Sequence, residues 1–399
     1  MNILFLSLTK IDDINQRGIY PDLLRDLIKR GHRMYIVSPL ERRYGRKTQY
    51  QIFSNYSLLN VRTLNIQKTN IIEKGIGIIL LEIQYLRAIS KYLREPKFDL
   101  ILYATPPITL SKIINKIKHH FKSPTYLLLK DIFPQNAVDM GMMSKSSLLY
   151  RYFRKREKKL YQISDYIGCM SNANVQYLIN NYPYLDPTKI EVCPNSIELQ
   201  RDITIINKTK YRKKYCIPDD CTIFIYGGNL GKPQGLDFLI TILESNSNKK
   251  DRYFIIIGSG TEYEKLSNWF ETKKPENAIL LNTLSKDEFD ALLRSCDVGL
   301  IFLDPRFTIP NYPSRLLSYL EYSMPVLMAT DLCTDIGSIA QENGYGLWCE
   351  SGDLTTFNSL LDQLILNKSL INQMGKKGYQ YLLSNYQAHI SANIILSHF

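Results

Sequence analysis

Short apolar runs alternate along this chain with segments whose apolar positions recur every three or four residues, the signatures of buried strands and amphipathic helices. Asn2–Leu6 opens the series as a strand, with Ser7 and Thr9 in the turn after it. Leu23, Leu24, Leu27 and Ile28 then give one apolar face to a helix over Tyr20–Arg30, closed by Gly31-His32 before a strand at Arg33–Val37. Further strands are expected at Val61–Ile66, Leu100–Tyr103, Thr125–Leu129, Tyr166–Met170 and Ile190–Val192, with helices over Ile71–Leu93 and Ser147–Ile163. A second series starts near residue 220. Its strands are Ile223–Tyr226, Tyr253–Ile257, Ile279–Leu281, Val298–Phe302 and Val326–Ala329, and its helices Leu236–Glu244, Lys286–Ser295 and Pro313–Tyr322. This alternation predicts parallel sheets with helices on both faces. The polar, aperiodic stretch Asp202–Asp220 reads as a linker. The expected organisation is a domain over 1–201, a linker over 202–220, a second domain over 221–375 and a final helical segment over 376–399.

Composition changes this picture little. The 399 residues are 45% hydrophobic and 22% charged, the balance of a globular protein long enough for two cores. Seven scattered cysteines without zinc-ligand spacing read as buried free thiols in a reducing compartment. No metal site is expected. The first apolar run lacks a preceding basic region and reads as a strand, not a signal peptide. Nor is any apolar stretch long enough to cross a bilayer. The net charge of +12 favours an anionic partner without choosing among lipid, nucleic acid and phosphorylated substrate. No nucleic-acid-binding module is recognisable, and none is expected to bind.

Open parallel sheets bind ligands where strands end in turns at their carboxyl side. Tyr226-Gly-Gly-Asn-Leu-Gly-Lys-Pro-Gln-Gly235 is such a turn, leading into a helix. Gly228 and Gly231 let backbone N–H groups approach a phosphate, and Lys232 adds a charge. A tight turn without a ligand explains the same glycines. Gly258-Ser259-Gly260 offers a bare backbone to a flat ligand. Ser314 is expected to cap the helix that Arg315 begins, a start that also suits an anion. Lys130 and Asp131 end the strand Thr125–Leu129 as active-site candidates, with a surface ion pair as the plain alternative. Gly18 provides another open backbone position after the first strand.

In order and spacing these pieces resemble the family 4 retaining glycosyltransferases of the GT-B fold, in particular bacterial capsule and O-antigen enzymes of the N-acetyl-fucosamine transferase type. The likeness spans nearly the whole chain: Gly18 and Gly31-His32, Asp131-Ile-Phe-Pro-Gln, Arg154–Asp165, Pro194-Asn195-Ser196, Gly227-Gly-Asn-Leu-Gly, Gly258-Ser-Gly, and Pro313-Ser-Arg before Pro325-Val326. The resemblance implies two Rossmann-like domains facing a cleft, with the acceptor on the first and a nucleotide sugar, UDP-linked, on the second. It implies no cofactor and no metal. It would set the diphosphate against Gly228, Asn229, Gly231, Lys232 and Gln234, and the base near Gly258, Ser259 and Leu284. The helix with Ser314, Arg315, Ser318 and Glu321 would lie beside the diphosphate and ribose. The final helix would cross back to the first domain.

The chain departs from the family at informative places. Asn229 and Gln234 stand where many members carry Arg and Lys. Pro310 and Ser318 occupy the two places of the family's paired glutamates, with Glu321 one turn beyond the second. Lys130 holds a place often filled by His. An undecaprenyl-diphosphate-linked sugar is the acceptor that the resemblance implies, at the inner face of the plasma membrane. The basic cluster Arg42, Arg43, Arg46 and Lys47 and the Ile/Leu-rich segment Ile71–Leu93 are the expected contacts with an anionic surface; core packing is the other reading of that segment. Two rival functions share this architecture: a nucleotide-sugar 2-epimerase, disfavoured by the scarcity of acidic and His residues at the turns, and a non-catalytic partner subunit, which Ser318 and Pro310 would suit.

Overall fold

The computed structural model describes residues 1–66, 69, 71–199 and 208–399, so residues 202–207 of the expected linker lie outside it. Its described remainder is not all irregular, because Lys208–Lys214 is helical. The chain forms two compact units, Met1–Glu198 with Gln387–Phe399, and Leu199–Tyr386.

The first unit is built on an eight-stranded sheet. Its strands are β1 (Asn2–Leu6), β2 (Arg33–Glu41), β3 (Gln49–Ile52), β4 (Tyr56–Thr63), β5 (Leu100–Ala104), β6 (Thr125–Leu129), β7 (Tyr166–Cys169) and β8 (Ile190–Val192). They lie in the order β3-β4-β2-β1-β5-β6-β7-β8. All pairs are parallel except β3 with β4. Strands such as Leu100–Ala104 are buried along their length, which is why they read as unbroken apolar runs. The strand expected at Val61–Ile66 instead spans Tyr56–Thr63. Its polar Asn60 is buried and donates to the Ile11 carbonyl and to Ser38 Oγ, so burial there carries no apolar signature. The edge strand Gln49–Ile52 is mostly exposed and was not visible as an apolar run.

The second unit holds a six-stranded, all-parallel sheet. Its strands are β9 (Thr222–Asn229), β10 (Arg252–Ser259), β11 (Ala278–Leu281), β12 (Val298–Phe302), β13 (Val326–Thr330) and β14 (Gly346–Glu350), in the order β11-β10-β9-β12-β13-β14. This is the doubly wound order in which chain direction across the sheet reverses between the first and fourth strands, here β9 and β12. Phe224, Phe254, Leu300 and Leu327 from four of the strands share one core with Leu239 and Phe357 from flanking helices.

The helical segment expected over 376–399 is two helices, Lys368–Asn385 and Ala388–Leu396. Only the second belongs to the first unit. There Ala392 and Ile395 join the core of Ile3, Leu24 and Leu102, and Arg30 donates to Asn393.

Candidate functional site

In the first unit the candidate residues follow β6. Lys130 and Asp131 are neighbours in sequence but engage different partners. The Lys130 amide donates to Thr105 Oγ1, and its ammonium donates to the Cys193 carbonyl at 2.9 Å. Burial pushes this ammonium down to about 8 from its ordinary 10.5. Asp131 instead accepts from Asn136 Nδ2 at 2.9 Å on both carboxylate oxygens. Burial pushes its carboxyl up to about 6, against the opposing pull of the Asn136 hydrogen bond. The two are therefore not the surface ion pair that the sequence left open. Asn136 Oδ1 and Asn195 Oδ1 are buried without a hydrogen-bond partner among the described residues. Both are acceptors that a hydroxyl could satisfy. Sequence reasoning did not single out Asn136; its position five residues after Asp131 was the available signal.

Gly18 does not present an open backbone. Its amide donates to Asp22 Oδ1, and its carbonyl accepts from the Asp22 amide, within the start of the following helix. Both polar groups are thus used inside the fold.

In the second unit β9 runs directly into the glycine turn. Gly228 has φ +124°, a conformation that excludes most side chains. A Cβ there would lie 3.7 Å from Arg315 Nη2. Arg315, from the helix Arg315–Glu321, reaches back over this turn. Its Nη2 donates to Gln234 Oε1 at 2.6 Å, and its guanidinium carbon lies 4.3 Å from the Tyr226 ring centroid. Tyr226 in turn donates to the Asn229 carbonyl at 2.8 Å. Arg315 Nη1 is buried and has no hydrogen-bond partner among the described residues. The structure thus joins Gly228, Asn229, Gln234 and Arg315 into one cluster, with Tyr226 beneath the guanidinium as a member the sequence analysis missed.

The other expected residues of the second unit have plainer placements. Lys232 is exposed at the start of the short turn Lys232–Gln234, just after Gly231. The lack of a side chain at Gly258 is required by packing: a Cβ there would lie 1.8 Å from the Gly228 carbonyl oxygen. Ser259 is exposed at the end of β10, while Leu284 follows β11 in a half-buried position. Ser314 precedes its helix but makes no side-chain capping bond, contrary to expectation; its backbone is already helical, which turns the hydroxyl away from a cap's geometry. Ser318 is half-buried and Glu321 is buried on the same helix. Among the described residues no group of three or more His, Cys, Asp or Glu side chains could hold a metal ion.

Comparison with known proteins covers both units. Residues 22–201 match the family model Glycosyltransferase Family 4, and residues 207–381 match Glycosyl transferases group 1. The probable glycosyltransferase WbjE of Pseudomonas aeruginosa is 22% identical over 329 residues, 81% of this chain and 79% of that protein. The O-antigen biosynthesis glycosyltransferase WclY of Escherichia coli is 30% identical over 123 residues, 31% of this chain and 33% of that one. Among solved structures, sucrose-phosphate synthase of Thermosynechococcus elongatus superposes with a TM-score of 0.77 at 12% identity, over 99% of this chain and 97% of that one. HepE of Anabaena, solved in complex with UDP, gives 0.68 at 13% identity over 100% and 99%. At these identities the structural likenesses speak for the fold. A glycosyltransferase family model on each half, joined to the doubly wound two-sheet architecture, identifies the chain as a member of the GT-B glycosyltransferases.

Proposed function

We propose that this protein transfers a sugar from a nucleoside diphosphate sugar, UDP-linked, to a hydroxyl of a lipid-linked acceptor in bacterial surface polysaccharide synthesis. The observation that carries the donor half is Arg315: a guanidinium fixed by Gln234 and Tyr226 over Gly228, with Nη1 lacking a protein partner. A buried, unsatisfied cationic donor at the carboxyl end of β9 suits a diphosphate. The fold's switch point between β9 and β12 is where such ligands bind in doubly wound sheets. The acceptor half rests on Asp131, with the orphaned oxygens of Asn136 and Asn195 as partners for sugar hydroxyls. WclY's role in O-antigen biosynthesis and the UDP bound to HepE support the same assignment by likeness.

In this reaction the acceptor oxygen bonds to the anomeric carbon as the sugar–phosphate bond breaks. The electron pair leaves with the diphosphate, which also takes the acceptor's proton in the retaining course that the family resemblance implies. Arg315, the Gly228 turn and Lys232 offer positive charge where the leaving group develops negative charge, without a metal. Asp131 holds the acceptor hydroxyl. The acceptor's lipid places the enzyme at an anionic membrane surface; no helix among the described residues is long and apolar enough to cross a membrane.

Calorimetry with UDP, followed by mass-spectrometric assay of nucleotide sugars with lipid-diphosphate sugar acceptors, tests the proposal. Binding of UDP and transfer with retained anomeric configuration are expected. Absence of any nucleoside diphosphate binding would favour the non-catalytic subunit, for which Ser318 in a glutamate's place is the supporting observation.

A further inference from the structure

The helix Ile71–Tyr92 carries two apolar faces. One packs inward through Leu81, Tyr85, Ala88 and Ile89, with the Tyr85 hydroxyl donating to the Ser7 carbonyl. The other is a stripe at i, i+3, i+4 and i+7 spacing that stays open: Ile76, Ile79, Leu80 and Ile83 are 36–49% exposed. Core packing therefore accounts for only half of this segment. A second exposed apolar site stands at the start of the helix Leu148–Ile163, where Leu148 is 80% and Leu149 50% exposed. Arg156 ties the two helices together through Glu82, at 3.4 Å.

The charges of these helices are sorted. Glu82 receives the backbone amides of Lys112 and Ile113, Glu73 pairs with Arg42, and buried Glu157 pairs with Arg154. On these two helices the exposed ionic side chains among the described residues are all cations: Arg87 and Lys91 on the first, Arg151, Lys155, Lys158 and Lys159 on the second. An exposed apolar stripe flanked only by cations is complementary to an anionic bilayer surface, and not to a second copy of the same cationic face. The stripe also lies at the end of the sheet that holds Asp131: Thr109, five residues past β5, donates to the Ile78 carbonyl.

We infer that Ile76, Ile79, Leu80 and Ile83, with Leu148 and Leu149, form a shallow membrane-inserting surface that seats the first unit on anionic lipid. This rests on the functional reading above, since a lipid-linked acceptor would enter from that side. It also reassigns the binding force. In the Arg42–Lys47 cluster Arg42 is paired with Glu73 and Arg43 with Glu41, so that cluster contributes less charge than its sequence suggests. Apolar insertion then adds to the attraction of the six flanking cations, so part of the binding persists when salt screens the charges.

The test is co-sedimentation of the full chain with phosphatidylglycerol–phosphatidylcholine vesicles across a salt series, with light scattering of the lipid-free protein. The combined variant Ile76→Gln, Ile79→Gln, Leu80→Gln and Ile83→Gln should lower partitioning about tenfold or more at low and high salt alike, given the apolar area removed. Leu148→Gln with Leu149→Gln should act in the same direction. Circular dichroism and transfer to a soluble acceptor should stay as in the parent. Parental partitioning by the four-residue variant would overturn the inference, as would a parent that ignores vesicles but forms dimers that the variant loses. Vesicle binding lost in the variant, with no transfer to any acceptor by the parent, would sustain the surface while sinking the proposed function.

Discussion

Two residues carry most of the proposed chemistry, and each is held by its own set of partners. Arg315 is held by Gln234 and Tyr226, so its guanidinium is pre-organised and one nitrogen remains to be satisfied. Arg315→Ala should weaken nucleoside diphosphate binding by about 1.5–3 kcal/mol, the scale of a hydrogen bond to a charged group, measured by calorimetry. Arg315→Lys should recover only part of this, because an ammonium cannot bond Gln234 and a phosphate in one plane. Asp131 is buried enough to titrate near about 6 instead of its ordinary 3.8. A carboxylate that orients the acceptor must be ionised, so turnover should fall as pH drops through about 6, and Asp131→Asn should lower turnover and erase that limb. Donor affinity should be unaffected. The stability sign is opposite. A raised carboxyl pKa means the folded chain binds more protons than the unfolded chain between 3.8 and about 6, so ionising Asp131 costs stability as pH rises through that window. Asp131→Asn should therefore unfold at no lower a temperature than the parent at pH 7, while a purely structural residue would lose stability with activity.

At the scale of elements, the ends of β9 and β10 set the proposed donor turn. Gly258 faces Gly228 in register, and the space for a Cβ at Gly258 is taken by the Gly228 carbonyl. Its φ of +153° is unfavourable for other residues as well. Gly258→Ala should push the two strand ends apart and cost about 3 kcal/mol or more, from strain and overpacking together. A lowered unfolding temperature together with lost UDP binding is the expected pair of readings. Unchanged stability would mean that the strand end yields without cost. The Gly258-Ser-Gly turn is ambiguous in sequence because glycine serves backbone approach whether the neighbour is a nucleobase or a strand, and the Gly228 strand end fills that space here.

Across the whole molecule, the chain completes its first unit only with its last residues. Ala392 and Ile395 enter a core whose other members, such as Ile3 and Leu102, lie near the beginning of the sequence. Ile395→Ala should destabilise the first unit by about 2–5 kcal/mol, the range for a large-to-small change in a core. Thermal unfolding should show the loss in one transition, with UDP binding by the second unit retained at temperatures below it. Equal loss from both transitions would show that the helix supports more than the unit it packs against.

How much of this was legible depends on whether the deciding interactions are local. The alternation of strands and helices, the doubly wound class and the glycine turns at strand ends could be read directly, because burial on both faces leaves uninterrupted apolar runs and helix faces leave a period near 3.6. The candidates Lys130, Asp131, Gly228 and Arg315 were likewise visible, since strand ends and helix starts are local features. What they do to one another was not. Arg315 and Gln234 lie 81 positions apart and meet because β12 folds in beside β9. Lys130 and Asp131, adjacent in sequence, turn to Cys193 and Asn136 instead of each other. Gly18 lost its open amide to Asp22, and Arg42 and Arg43 lost part of their charge to Glu73 and Glu41. Pattern along the chain determines which segments must be buried and in what secondary structure. Partner choice among polar groups, and which apolar face of Ile71–Tyr92 stays in solvent, depend on the order in which distant segments are laid side by side, and only the tertiary structure decides that.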